Sequence, residues 1–107
     1  MIKISIFYPN SPDSRFDMSY YLKTHMPISI ERLSAAKGFK GVSVERGVGG
    51  GSPGSDPTYI AMCHYLFDSM DDFSAAFTPY AEFLQSDMAH YTDLQPIIQI
   101  SAVEISR

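Results

Sequence analysis

The residues that could do chemistry near neutral pH are few: three histidines (His25, His64 and His90), one cysteine (Cys63) and the carboxylates around them. His25 stands out. If the surrounding segment is helical, Tyr21 lies one turn before it and both flank an apolar stripe. An imidazole at such an edge can reach a pocket between helix and sheet, where it would give or take a proton without extreme tuning. The competing reading is a partly buried histidine that only satisfies its own hydrogen bonds. Asp87 admits two readings as well. A straight last helix puts it on one face with Leu84, Met88 and Tyr91, where a carboxylate needs a partner. A helix that stops near Ser86 makes Asp87 the cap of a following turn, and the pattern slightly favours this second reading. Asp87 is the one carboxylate the pattern offers to fix the tautomer of His25, although the two sit on different helices. Tyr21 could hydrogen-bond a substrate oxygen while His25 moves a proton.

The remaining candidates read as structural. Cys63 lies in an apolar strand with no basic neighbour, so it reads as a small core side chain rather than a nucleophile. His64 follows it and must face the other side of that strand, as an interior or interface histidine. No H-x-x-x-H or C-x-x-C spacing supports a metal site, and no cofactor is called for. Gly49, Gly51 and Gly54 formally match G-x-G-x-x-G. That loop runs into a strand instead of a helix and carries Pro53 inside the pattern, so it reads as a hairpin connection without phosphate affinity.

The elements that must position these groups follow from periodicity. Ile2, Ile4 and Ile6 alternate with Lys3, Ser5 and Phe7, which predicts a strand. Pro9 and Pro12 break it, and Asp17 is an N-cap for a helix with Met18, Leu22, Met26, Ser29, Leu33 and Ala36 on one face. Pro27 falls on the outer side and should bend that helix. Gly38 and Gly41 end it. Val42 and Val44 mark a second strand, and TYIAMCHYLF a third that is apolar on both parities except at His64. Asp68 or Ser69 caps a short helix bearing Phe73 and Phe77. Thr78-Pro79 reads as the start of another, with Tyr80, Leu84, Met88 and Tyr91 on one face. IIQISAVEI is the fourth strand. The order β-α-β-β-α-β predicts an α+β, ferredoxin-like domain over residues 1–107: a four-stranded antiparallel sheet with helices on one face. The other face has no cover of its own, yet the third strand offers it apolar side chains. Sheet-to-sheet pairing into a homodimer would bury it.

Composition narrows the partners. The 107 residues carry a net charge of −4, with eight Lys and Arg scattered singly, which argues against nucleic acid. No apolar run suits a membrane span or signal peptide, and the single cysteine permits no internal disulfide, so a cytoplasmic protein is expected.

The chain also resembles the EthD family over almost its whole length. The resemblance is strongest at Tyr8-Pro9, Phe16-Asp17, Tyr20-Tyr21 and His25-Met26-Pro27, and continues through Phe67-Asp68-Ser69, Asp87, Tyr91-Thr92, Pro96 and Gln99. His90 departs from the pattern, where Asn is usual, and takes no role. The resemblance implies a dimeric α+β barrel in which two protomers pack their sheets together. It is a family named for a protein of bacterial ether degradation, with fungal relatives that act as dehydratases on aromatic polyketides. The wider superfamily includes cofactor-free monooxygenases, a lactone isomerase and haem enzymes, so fold alone leaves the reaction open. The reading that follows is a cofactor-free lyase, isomerase or oxygenase for a small apolar or aromatic metabolite. It would use His25, Tyr21 and Asp87, and the alternative is a non-catalytic binding or accessory protein of a degradation pathway.

Overall fold

The computed structural model describes residues 1–107. Its strands are β1 (Ile2–Pro9), β2 (Phe39–Arg46), β3 (Tyr59–Phe67) and β4 (Ile97–Ala102), all antiparallel in the order β2-β3-β1-β4. This is the ferredoxin-like arrangement expected from the sequence. Alternation sends Ile4 and Tyr8 of β1, with Ala61, Cys63, Tyr65 and Phe67 of β3, into the core beneath the helices. Fully burying a side chain such as Leu33 or Phe67 is worth roughly 1.5–3 kcal/mol. Cys63 and His64 point to opposite faces. On the helix-free side Phe7, Met62 and Leu66 remain half-buried. β4 is short and open: Ile97 is 49% exposed, Ile98 60% and Ile100 50%. No helix is long and apolar enough to cross a membrane.

The first helix, α1, spans residues 18–34, and Asp17 caps it by accepting the Tyr20 N–H at 3.1 Å. Pro27 is exposed, as expected, but the helix answers it with a π turn over Tyr21–His25. Proline has no N–H, and its ring crowds the carbonyl four residues back, so a wider turn just before it relieves the clash. The wider turn also changes the phase of the helix. Leu22, expected in the apolar stripe, turns outward to 41% exposure, while Tyr21 and His25, expected at its margin, turn inward to 1% and 7%.

After β3, Ser69 caps α2 (Met70–Phe77), accepting the Asp72 N–H at 3.1 Å. Thr78 does not cap a new helix. Thr78–Tyr80 is a 3-10 turn that carries the chain directly into α3 (Ala81–Asp87), which ends in a second 3-10 turn, Met88–His90. Gly38 closes the connection from α1 to β2 at φ 84°, a left-handed backbone suited to glycine. Gly41 lies inside β2 beside a register shift, not before the strand.

Candidate functional site

Two carboxylate–histidine contacts exist, and only one faces a cavity. His25 Nδ1 lies 2.9 Å from Asp87 Oδ2, both residues being buried. The helix therefore continues through Asp87, and the carboxylate meets its partner from the apolar face; it does not cap a turn. An ionised carboxylate only accepts, so Nδ1–H is the donor and Nε2 keeps its lone pair. The other carboxylate oxygen, Oδ1, accepts from the Tyr20 hydroxyl at 2.8 Å.

Residues 62 positions apart in sequence meet here because the end of α3 is tied to the loop before α1. The Arg15 guanidinium donates to the Ala89 carbonyl at 2.7 Å, the Asp17 N–H donates to the Tyr91 carbonyl at 2.7 Å, and Thr92 Oγ1 donates to the Arg15 carbonyl at 2.8 Å. Beneath this latch Tyr8, Phe16, Tyr21 and Tyr91 form one aromatic cluster, with ring centroids 5.1–6.0 Å apart. The Tyr8 and Tyr91 hydroxyls share a hydrogen bond of 2.7 Å. The imidazole of His25 packs at 4.6 Å on the Tyr91 ring and stacks at 6.2 Å on Tyr21.

A cavity of about 520 Å³ opens between α1, α3 and the sheet, lined by His25 and Tyr21 together with apolar side chains that include Met26, Phe77, Leu84 and Ile98. Asp93 is the only acid in its wall, and no Lys or Arg is present there. This matches the preference of small-molecule sites for apolar walls with few polar anchors. Tyr21 lines the cavity, and its hydroxyl is buried without a partner and so retains an unused donor. Asp87 stands behind His25 and is absent from the cavity wall.

Electrostatics favour a neutral imidazole over an ionised carboxylate. Burial pulls the His25 pKa below its usual value, and the Asp87 carboxylate only partly opposes this. Burial alone would raise Asp87, but hydrogen bonds from His25 and Tyr20 outweigh it and hold the carboxyl below the usual range. Burial pushes the Tyr21 and Tyr91 hydroxyls well up, so they act only as protonated groups. The Cys63 thiol is pushed up to about 12 by burial, consistent with an inert core side chain.

His64 sits on the helix-free face, with Nδ1 2.7 Å from Ser5 Oγ and Nε2 3.5 Å from Glu45 Oε1. His90 is exposed and stacks on Tyr20 at 5.6 Å. No three His, Cys, Asp or Glu side chains converge as metal ligands. The glycine-rich loop joins β2 to β3 with no helix after it. Residue-by-residue reading missed Tyr20, the Tyr8–Tyr91 pair and the Arg15 latch. Tyr20 had a signal, since it stands next to Tyr21 at the start of the helix, but Arg15 had none.

Comparison with known proteins agrees with this architecture. The fold superposes on an EthD-like protein of Ralstonia eutropha with a TM-score of 0.89 at 38% identity, over 99% of this chain and 94% of that one. An ethyl tert-butyl ether d (EthD) family protein of Bacillus halodurans shares the fold at a TM-score of 0.71 and 20% identity, over 96% and 98% of the two chains. So does a dimeric ferredoxin-like protein of unknown function from Bacteroides fragilis, at 0.60 and 16%, over 95% of each chain. No curated protein matches the chain. The profile of the EthD domain matches residues 13–95, which include Tyr21, His25 and Asp87, and the chain belongs to the EthD family.

Proposed function

We propose that the protein is a small-molecule enzyme that moves a proton on an apolar or aromatic metabolite, in a lyase, isomerase or oxygenase type of reaction. The observation that carries this reading is the His25–Asp87 pair: Nδ1–H is held by a carboxylate at 2.9 Å, and Nε2, without a protein partner, belongs to a side chain in the wall of an apolar cavity. An imidazole so held is a base at Nε2. Once it has taken a proton, its cation is stabilised by Asp87, and it can return the proton elsewhere on the molecule. Tyr21 supplies the unused donor for an oxygen on the bound molecule. Proton transfer by an imidazole draws on side chains alone and needs no cofactor.

The test begins with a thermal-shift screen of small aromatic and alicyclic metabolites, followed by product analysis on each compound that binds. His25→Gln keeps size and hydrogen-bonding capacity but cannot act as a base near neutrality. It should lower turnover by about 10²–10⁴-fold and leave the assembly and binding close to wild type. Turnover unchanged in folded His25→Gln would refute the catalytic reading. A second reading, a non-catalytic binding protein, draws support from the largely apolar lining of the cavity. Ligands that bind tightly and are never converted would favour it.

The same reading includes a homodimer through the helix-free face, where Phe7, Met62 and Leu66 lie half-buried with no helix over them. The dimeric Bacteroides fragilis protein of the same fold supports it. Light scattering at micromolar concentration should give twice the chain mass, and a monomer would reject it.

A further inference from the structure

Asp87 has two oxygens and two different jobs for them. Oδ2 faces His25 Nδ1 at 2.9 Å, and Oδ1 takes the Tyr20 hydroxyl at 2.8 Å. Without the second contact the bond to His25 alone would hold the carboxylate against turning about its Cβ–Cγ bond, because no other side chain or backbone donor reaches it. Tyr20 is itself held from two sides. Its backbone N–H donates to the capping Asp17 carboxylate at 3.1 Å, and its ring stacks on His90 at 5.6 Å and on Tyr91 at 6.4 Å. The ring thus stands at a fixed angle with its hydroxyl aimed at Oδ1. Tyr20 is absent from the cavity wall.

We infer that Tyr20 is the positioning residue of this site: its hydroxyl pins Asp87 Oδ1, so that Oδ2 stays on His25 Nδ1 and the imidazole is kept in the single tautomer that leaves Nε2 a base at the cavity. This rests on the proton-transfer reading above for its functional meaning, but its structural content does not depend on it. The stack with His90 gives an exposed, otherwise unused histidine a part in the same arrangement, as the outer support of the Tyr20 ring. The titratable groups around the imidazole are Asp87 from α3, Tyr21 from α1 and Tyr91 after the last 3-10 turn, with Tyr20 and His90 in the layer beyond. Neither neighbouring tyrosine hydroxyl bonds the imidazole, so Asp87 is the one side chain that fixes its tautomer.

The experiment is nitrogen-15 NMR of the imidazole in the full-length protein without ligand, which reports tautomer and pKa without any substrate. Wild type should show one Nδ1–H tautomer. Tyr20→Phe keeps the ring and both stacks and removes only the hydroxyl. It should give a mixture of tautomers and a His25 pKa lower than in wild type, because the carboxylate spends part of its time turned to water. Asp87→Asn marks the limit of complete loss of the charged partner. An unchanged tautomer and pKa in Tyr20→Phe would overturn the proposal. So would a raised His25 pKa with the tautomer intact, which would mean that Asp87 stays in place and Tyr20 merely draws charge from it. If Tyr20→Phe behaves as expected and His25→Gln still turns over, the positioning stands and the catalytic reading fails.

Discussion

Asp87→Asn is the sharpest perturbation of the site, because it changes one atom and leaves the volume alone. The wild-type carboxylate accepts twice, from Tyr20 at 2.8 Å and from His25 at 2.9 Å. An asparagine offers one acceptor and one donor group instead. If its oxygen keeps the Tyr20 hydroxyl, its NH₂ faces Nδ1, and the imidazole must carry its proton on Nε2. The nitrogen available to the cavity then becomes a donor and can no longer take a proton. If the amide flips, the Tyr20 hydroxyl must turn round to accept, and Nε2 is still a base but has lost the anion that stabilised the imidazolium. The first arrangement removes the base and the second weakens it, and the expected fall in turnover is about 10²–10⁴-fold. Stability falls less. Two charge-assisted bonds of about 1.5–3 kcal/mol each become neutral ones of about 1 kcal/mol each, so a net loss of about 1–4 kcal/mol follows for the buried pair, or roughly 4–8 °C in Tm for each kcal/mol. Ligand affinity in the cavity should change little, since Asp87 is not in its wall. The assay is turnover and binding on the same metabolite, beside a thermal melt of the ligand-free protein. Turnover within about threefold of wild type in a folded Asp87→Asn protein would refute the assigned role of the carboxylate.

Acid should destabilise the fold in two stages. An unfolded imidazole binds its proton near pH 6.5, and folded His25 does so only at lower pH, so stability present above about 6.5 is lost as pH falls through the folded pKa. Asp87, also depressed, contributes fully above its unfolded pKa and loses that contribution at still lower pH; melts from pH 4 to 8 should therefore show a first decline in wild type that is absent in His25→Gln. Gly38→Ala should cost at least about 1–2 kcal/mol in urea unfolding, because φ is 84° and a Cβ there would run into the Asp72 side chain, whereas Gly51→Ala, in open space, should be neutral. Deleting residues 49–54 from the β2–β3 connection should shift Tm by only a few degrees and leave cavity binding intact, since shortening a flexible loop changes its closure entropy little.

The fold was legible because its signals are local and repeated. The alternation in β1, the cap at Asp17 and the Ser69 cap are each decided within a few residues, and β-α-β-β-α-β then leaves few topologies. Misreadings fell where one local rule met another. A wheel drawn at constant pitch cannot know that Pro27 will widen the preceding turn, so it placed Leu22 inside and kept Tyr21 and His25 at the edge. Thr78-Pro79 carries the signature of a helix start, but the chain stays wound through the 3-10 turn because α2 and α3 share one run.

The candidate site was legible one residue at a time and not as a constellation. His25 and Asp87 could each be singled out, since a titratable group on an apolar face demands a reason. Their meeting depends on where the end of α3 docks, and that is decided by the latch among Arg15, Asp17, Tyr91 and Thr92. Most of those bonds end on backbone carbonyls, which every residue has and no sequence pattern displays. The exposed Arg15 illustrates the point: its role is to satisfy the carbonyls left over at the end of a short 3-10 turn, where a helix has no partners of its own. The π turn and the latch act together on the same pair. One rotates His25 inward from α1, the other brings Asp87 up to it from α3, and either alone would leave a buried titratable side chain without its partner.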